Sequence, residues 1–212
     1  MNTATNNILT ATKTLLPVME QFYTLQGEGV FNGQAAYFVR LGGCDVGCTW
    51  CDVKDSWDAA AHPQRTITDI ISPIIAEHKG KIVVVTGGEP AMHNLVELTA
   101  ALQKQGFRTH IETSGAHPLT GAWDWVCVSP KKFKFPLESV LAQADELKII
   151  VYNKHDLVWA EQHAALVPDR CALLLQPEWS KEQEILPLMI EYVMQNPSWR
   201  VSLQTHKYMD IP

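Results

Sequence analysis

The sequence lacks the features that mark several classes of protein. No apolar run approaches the roughly 18 to 20 residues needed to span a bilayer, and residues 1–16 are Thr/Asn-rich, without the basic start and apolar stretch of a signal peptide. Basic residues are not in excess, since the formal net charge is −6 and the pI is near 5.7. The sequence therefore predicts a cytoplasmic protein without nucleic acid or a membrane as a partner.

Cysteine is also scarce, and its placement is uneven. The chain has five cysteines, an odd number, and three of them fall within residues 44–51. This distribution favours metal binding in a reducing compartment over a disulfide framework. Internal repeats and low-complexity linkers are missing as well, and 212 residues, 46% of them hydrophobic, suffice for one sizeable core. We expect a single domain.

Apolar runs rich in β-branched residues alternate with helix-length segments along most of the chain. The predicted strands are residues 36–41, 82–86, 107–113, 123–129, 147–152, 172–176 and 199–204. The predicted helices are residues 66–78, 95–105, 154–165 and 181–195. This alternation predicts an α/β fold with a mainly parallel sheet, as a single-domain partial (β/α) barrel or an open sheet covered by helices.

Polar motifs follow five of the predicted strands. They are residues 42–52, 87–90, 114–115, 129–131 and 177–179. In parallel α/β folds the chemistry collects at the carboxyl ends of the strands. We expect these five loops to share one rim, which favours an enzyme over a scaffold.

The first of these loops carries Cys44, Cys48 and Cys51 in a C-x3-C-x2-C pattern. Three thiolates on one short loop can hold an iron-sulfur cluster and leave one iron open for a small molecule, as catalytic zinc sites keep an open position. The alternatives are a closed zinc site completed by a histidine, or three unligated thiols. Cys127 and Cys171 lie in apolar strands and are interpreted as core residues.

This spacing, with Trp50 before the third cysteine, resembles the signature of the radical S-adenosylmethionine (SAM) superfamily. The resemblance implies a radical SAM core, a 4Fe-4S cluster on the three cysteines, and SAM chelating the open iron by its amino and carboxylate groups. Reduction of bound SAM would then release a 5′-deoxyadenosyl radical. The residues expected to bind SAM are Trp50, Gly87, Gly88, Glu89, Ser114, Ser129, Pro130, Lys131, Gln176, Pro177, Glu178 and Trp179.

Three further strings narrow the resemblance: YTLQGEG at residues 23–29, FVRLGGC at 38–44 and LQTHKYMDIP at 203–212. Together they resemble the 7-carboxy-7-deazaguanine synthase family of queuosine and 7-deazapurine biosynthesis. That family converts 6-carboxy-5,6,7,8-tetrahydropterin into 7-carboxy-7-deazaguanine with loss of ammonia, by radical ring contraction. The resemblance implies a core at residues 19–212 behind an N-terminal extension at 1–18.

The same resemblance implies the remaining site residues and partners. Substrate binding is expected from Leu25, Gln26, Gly27, Glu28, Arg40, Thr86, His206 and Pro212. A pterin edge suits amides and carboxylates, while its carboxylate needs cations or hydroxyls. A homodimer and a flavodoxin-like or ferredoxin-like electron donor are also implied.

One position departs from the family pattern. After the last cluster cysteine the family usually reads Cys-Asp-Thr, with the threonine hydroxyl as a magnesium ligand, but here the residue is Val53. Magnesium prefers six oxygen donors, so we expect a weakened Mg²⁺ site, with Asp52 or Asp55 as possible substitutes.

Two other functions fit part of the sequence. A radical activase that generates a glycyl radical on a partner protein needs the same cysteine loop in a similarly small chain. A non-enzymatic iron or redox sensor needs only the cysteines, and would not cleave SAM.

Overall fold

The computed structural model describes residues 14–212, and its strands form one sheet. The strands are β1 Leu15–Leu25, β2 Ala35–Leu41, β3 Gln64–Thr66, β4 Ile82–Gly87, β5 Arg108–Thr113, β6 Trp125–Val128, β7 Glu146–Val151, β8 Ala172–Pro177 and β9 Trp199–Val201. Their order is β3-β1-β2-β4-β5-β6-β7-β8-β9. From β2 to β9 each neighbouring pair is parallel, whereas β1 is antiparallel to β2 and β3.

Five α-helices of the described chain lie between strands of the sheet, and a sixth follows β9. They are α1 Ile67–Glu77, α2 Val96–Lys104, α3 Glu138–Leu141, α4 His155–Ala164, α5 Glu182–Gln195 and α6 Thr205–Met209. The α1 helix begins at a capping box, in which Thr66 and Asp69 exchange hydrogen bonds. Its Ile70 and Ile74 side chains, four positions apart on one face, are fully buried in the main core. None of the helices in the described chain is long and apolar enough to cross a membrane.

The two faces of the sheet differ. The main hydrophobic core lies between one face and the helices, where residues such as Val83, Ile149 and Leu102 are fully buried. The other face carries a small apolar cluster around Phe38 and Val84, and its remaining inward side chains are largely polar. Because the helices cover one face only, the other is left to form a cavity.

The predicted α/β fold with a mainly parallel sheet is confirmed. Each predicted strand and helix is present, although the last predicted strand, residues 199–204, ends at Val201. β1, β3, α3 and α6 were not predicted from the sequence. The β1 strand begins at Leu15, before the expected start of the core at residue 19; residues 1–13 lie outside the described part, and the extension stays a prediction.

Candidate active site

A cavity of about 360 Å³ lies at the carboxyl ends of the parallel strands. The loops after β2, β4, β5, β6 and β8 all line it, as expected from the positions of the polar motifs. The segment after β1 and the C-terminal residues around α6 complete its wall. The convergence of these loops therefore follows from the parallel strand order.

Every predicted site residue except Pro130 lines this cavity. The set comprises Cys44, Cys48, Cys51, Val53, Trp50, Gly87, Gly88, Glu89, Ser114, Ser129, Lys131, Gln176, Pro177, Glu178, Trp179, Leu25, Gln26, Gly27, Glu28, Arg40, Thr86, His206 and Pro212. Pro130 instead lines a second cavity of about 540 Å³, which shares Trp50, Lys131, Ile150 and Ser180 with the first. The structure thus brings the set together, and the ligand that each residue contacts stays a prediction.

The cysteine loop is packed against the protein on its inner side. Cys48 is buried and lies in a small apolar cluster with Cys44, Trp50 and Cys51. Burial raises the pKa of Cys44 and of Cys48, the latter against the opposing charge of Lys131. Thiols in such surroundings are protonated until a metal displaces the proton, and three cysteines on one loop suit an iron-sulfur cluster. The donor set therefore fits the predicted cofactor.

An exposed ion cluster fixes the outer side of the same loop. Asp45 accepts hydrogen bonds from His117 Nε2 at 2.9 Å and from Lys134 Nζ at 2.6 Å. These bonds lower the pKa of the Asp45 carboxyl. His117 follows β5 and Lys134 follows β6, so the cluster joins the cysteine loop to two other loops of the rim.

The loop after β4 lies directly against the cysteine loop. Glu89 N donates to Gly43 O at 2.8 Å, and a Cβ atom at Gly88 would lie 2.4 Å from the same Gly43 oxygen and 2.8 Å from Cys44 Cβ. Only glycine allows this approach at position 88. The backbone of residues 87–89 is thereby placed at the cysteines.

Glu89 has a buried carboxylate whose acceptor positions are already used. Oε1 accepts from Ala91 N at 3.0 Å and Thr113 Oγ1 at 2.6 Å, and Oε2 accepts from Ser114 N at 2.8 Å and from the Ser114 hydroxyl. A carboxylate has about four lone-pair sites. Glu89 therefore holds the loops after β4 and β5 together, and the prediction that it binds an ammonium group stays untested.

A second group of charges forms the floor of the cavity, and the sequence analysis identified only one of its members. Lys148 Nζ lies 2.5 Å from Glu28 Oε2 and 3.6 Å from Glu112 Oε2. The Lys148 side chain is only 5% exposed. Glu112 also accepts from Gln26 Nε2 at 2.8 Å, and Glu28 accepts from Gln204 Nε2 at 2.8 Å. Buried charges of this kind are paired and hydrogen-bonded, as burial requires.

Two of the floor charges, Glu28 and Lys148, stabilise each other in their ionised forms. Burial would raise the pKa of Glu28, but the Lys148 ammonium and hydrogen bonds from Lys148, Gln204 and Gln176 outweigh it and lower the pKa from 4.5 to about 2. Burial likewise opposes the charge on Lys148, and the two carboxylates raise its pKa well above 10.5. Glu28 and Lys148 therefore stay ionised at neutral pH and present fixed charges to a ligand.

A signal for Lys148 was present in the sequence. Glu146 and Lys148 alternate within a strand that is otherwise apolar, and residues two apart in a strand share a face. Such a pair on a buried face requires partners on the same side of the sheet. Those partners, Glu28 and Glu112, stand far away in the sequence, so only the fold identifies them.

The C-terminal segment packs on the segment after β1. Thr205 donates from its backbone N–H and its hydroxyl to Gly27 O, at 2.8 and 3.0 Å. Lys207 Nζ lies 4.7 Å from the Trp179 ring centroid and 3.4 Å from Asp52 Oδ2. Arg40, which also lines the cavity, forms an ion pair with Glu20 at 2.6 Å. From the C-terminal segment, His206, Lys207 and Pro212 thereby form part of the cavity wall.

The side chain at the expected magnesium position offers no oxygen. Val53 lines the cavity, and the neighbouring Asp52 carboxylate faces the Lys207 ammonium. A hydrocarbon beside an already paired carboxylate is a poor donor set for Mg²⁺. These residues do not fit the family's magnesium site as the sequence resemblance describes it.

Comparison with known proteins agrees with this architecture. The Radical SAM superfamily matches residues 38–127. A 7-carboxy-7-deazaguanine synthase of Flavobacterium psychrophilum is 57% identical, with 93% of each chain covered, and one of Synechocystis is 45% identical, covering 92% of this chain and 93% of its own. The crystal structure of QueE from Escherichia coli superposes with a TM-score of 0.80 at 34% identity, covering 89% of this chain and 93% of that one.

The parallel sheet, the three-cysteine loop and the matched residues define a radical SAM protein, with a 4Fe-4S cluster and SAM as its cofactors. Within that class, the similarity extends over nearly the whole of the relatives. The chain belongs to the 7-carboxy-7-deazaguanine synthase family.

Proposed function

We propose that the chain is a radical SAM lyase that converts 6-carboxy-5,6,7,8-tetrahydropterin into 7-carboxy-7-deazaguanine with loss of ammonia. The observation that carries this proposal is the position of the Glu28–Lys148–Glu112 group, with its buried ammonium, in the same cavity as Cys44, Cys48 and Cys51. When bound, the cluster and SAM supply the radical that removes a hydrogen from C6 of the pterin. The residues of this chain bind, orient and enclose the two ligands.

The floor of the cavity suits the edge of a pterin ring. A pterin presents adjacent donors and acceptors, and Glu28, Glu112 and Gln26 offer acceptors and donors in a fixed arrangement. Because Lys148 is paired with two carboxylates, its ammonium holds both of them in place. Fixed polar groups of this kind bind a ligand without first reorganising.

The carboxylate of the substrate needs positive charge or hydrogen-bond donors. Arg40, His206 and Lys207 line the cavity, and Thr86 adds a hydroxyl at the end of β4. We assign these residues to the substrate carboxylate, with Pro212 closing the wall beside them. On this arrangement the pterin lies across the cavity, with its ring on the floor.

The SAM half of the site is assigned to the loops after β4, β5, β6 and β8. The backbone at residues 87–89 lies against Cys44, and Lys131 lies 5.5 Å above the Trp50 ring while donating to Ser129 Oγ. Burial lowers the pKa of Lys131. These groups stand next to the cluster ligands, as a cofactor that binds the open iron requires.

Several finer features belong to this proposal. Dependence on Mg²⁺ is expected to be weak, because Val53 offers no ligand and Asp52 faces Lys207. A flavodoxin-like or ferredoxin-like protein is the proposed electron donor, the homodimer the proposed assembly and the cytoplasm the proposed location. All five cysteines are free, which suits a reducing compartment.

The test is anaerobic reconstitution with iron and sulfide, followed by incubation with SAM, a reductant and 6-carboxy-5,6,7,8-tetrahydropterin. Mass spectrometry should detect 7-carboxy-7-deazaguanine from the wild type and none from Cys48→Ala, with Cys171→Ala as the control that retains product. A reconstituted protein that cleaves SAM and yields no deazaguanine would contradict the proposal.

A further inference from the structure

The segment that carries Gln26–Glu28 is held from beneath by a buried carboxylate that takes no part in the proposed reaction. Glu146, at the start of β7, is 3% exposed. Its Oε2 atom accepts from the Val30 N–H at 3.2 Å and from Trp125 Nε1–H at 3.1 Å. Burial raises the pKa of Glu146, against the opposing charge of Lys148. One oxygen atom thus joins the segment to the sheet.

The residue next to Val30 approaches the same carboxylate closely. A Cβ atom at Gly29 would lie 2.2 Å from Glu146 Oε1, and Gly29 has a φ of +69°, which favours glycine. The Gly29 N–H also donates to Ser202 Oγ at 3.0 Å, and Ser202 donates to Gln176 Oε1 at 3.0 Å. Contacts with Glu146 and Ser202 therefore fix the backbone immediately after Glu28.

The rest of the segment folds back into the sheet. Gly33 N donates to Gln26 O at 2.7 Å, and Gln26 N donates to Gln34 O at 2.8 Å, so residues 26–34 close a loop. The Phe31 ring lies 4.6 Å from the His110 ring and 4.9 Å from the Trp125 ring, between centroids. The loop is therefore anchored beneath the cavity, and its position is set by buried contacts.

Glu146 and Lys148 lie two residues apart on β7, and each holds a different point of this loop. Lys148 binds the Glu28 side chain, and Glu146 binds the Val30 backbone. We propose that Glu146 is a positioning residue, which through Val30 and Gly29 sets the position of Gln26–Glu28 against Lys148 and thereby sets the affinity for the pterin. The inference rests on the proposed pterin substrate, and Glu146 itself does not touch that substrate.

The first test compares Glu146→Leu, which removes both acceptor oxygens, with Glu146→Gln, which keeps one. Leucine leaves the Val30 N–H without a partner, so we expect the KM for the pterin to rise about ten-fold or more. Glutamine should restore a KM within about three-fold of the wild type, since its oxygen still accepts from Val30. Iron content, and SAM cleavage without pterin, should stay at wild-type level in both variants.

The matched control is Trp125→Phe, which removes the other hydrogen bond to the same oxygen and keeps an aromatic ring beside Phe31. Its KM should equal that of the wild type. The inference is overturned if Glu146→Leu binds pterin normally, if glutamine fails to restore the KM, or if SAM cleavage falls in parallel. No product from a wild type that cleaves SAM would instead contradict the proposed function.

Gly29→Ala tests the same contact from the loop side and decides the matter if Glu146→Leu does not fold. Its added methyl group meets Glu146 Oε1, so the KM for the pterin should again rise about ten-fold. Gly33→Ala is the control, because it has a similar φ of +80° but no atom within 4 Å of the added Cβ. Equal KM values for the two variants would overturn the inference.

Discussion

Cys44, Cys48 and Cys51 stand on one loop, whereas Glu28, Glu112 and Lys148 come from three distant segments and meet only in the folded chain. The cysteine loop is held mainly by backbone contacts and by the exposed Asp45 cluster. The floor is held by buried ion pairs. The first region is built for a cofactor that brings its own chemistry, and the second for discrimination of an organic ligand.

This difference implies that the two regions can be damaged separately. Loss of the floor should leave SAM cleavage intact and uncouple it from pterin conversion. Loss of the cysteine loop should stop both. Four experiments test the two regions and their support, in order of decreasing expected effect.

Lys148→Met should have the largest effect on the floor. It leaves the partly buried carboxylates of Glu28 and Glu112 without their buried counter-charge, which costs about 3 kcal/mol of unfolding free energy. Pterin binding should be lost as well, because the two carboxylates repel each other and move apart. Anaerobic denaturant unfolding and pterin titration measure both effects. The exposed Lys104→Met on α2 is the control, and equal stability of the two variants would contradict the account.

The same contrast explains which parts of the fold and of the site could be predicted from the sequence. The cysteine loop and the strings at residues 87–89 and 129–131 are each a continuous stretch that follows a predicted strand, so the sequence alone places them on one rim. Glu112 lies in a strand with several other polar residues, and Lys148 shares an otherwise apolar strand with Glu146, so the role of each depends on partners from distant segments. The β1 strand was missed because it contains Pro17 and several polar residues and pairs antiparallel to its neighbours.

Glu89→Gln should affect the SAM half of the site. The amide replaces one of two carboxylate oxygens that together accept from Ala91, Thr113 and Ser114, so a buried donor loses its acceptor at a cost of about 1 to 3 kcal/mol. We expect weaker SAM binding and an unchanged pterin affinity, measured by separate anaerobic titrations. Glu97→Gln, on the exposed face of α2, provides the baseline. A selective loss of pterin affinity would reverse the assignment of the two halves.

The pH dependence of stability tests the role of His110, which packs against Phe31 beneath the floor of the cavity. Burial, helped by the Arg108 charge, lowers its pKa from 6.5 to about 4. Between these values the unfolded chain binds the proton and the folded chain does not, so stability falls as pH falls, by up to about 1.4 kcal/mol per unit. Anaerobic unfolding at pH 7.5 and 5.5 should show this loss in the wild type and a smaller one in His110→Phe. Identical losses would show that His110 is not kept neutral by the fold.

Val53→Thr should have the smallest effect. The position lies at the boundary between the SAM half of the site and the pterin floor. The added hydroxyl restores one oxygen donor beside Asp52, so Mg²⁺ should stimulate product formation several-fold more than in the wild type. The measurement is product formation after chelation and after graded return of Mg²⁺. Val53→Ala, which adds no oxygen, controls for side-chain volume. A wild type that loses activity by orders of magnitude without Mg²⁺ would contradict the weak dependence proposed here.

The separation of the two halves is tested most directly by counting both products in one anaerobic reaction. The wild type and Lys148→Met are incubated with SAM, a reductant and 6-carboxy-5,6,7,8-tetrahydropterin, and mass spectrometry measures 5′-deoxyadenosine and 7-carboxy-7-deazaguanine. We predict that Lys148→Met retains its iron and still forms 5′-deoxyadenosine, but gives little or no deazaguanine. Normal deazaguanine formation by this variant, or loss of both products with the cluster intact, would contradict the account.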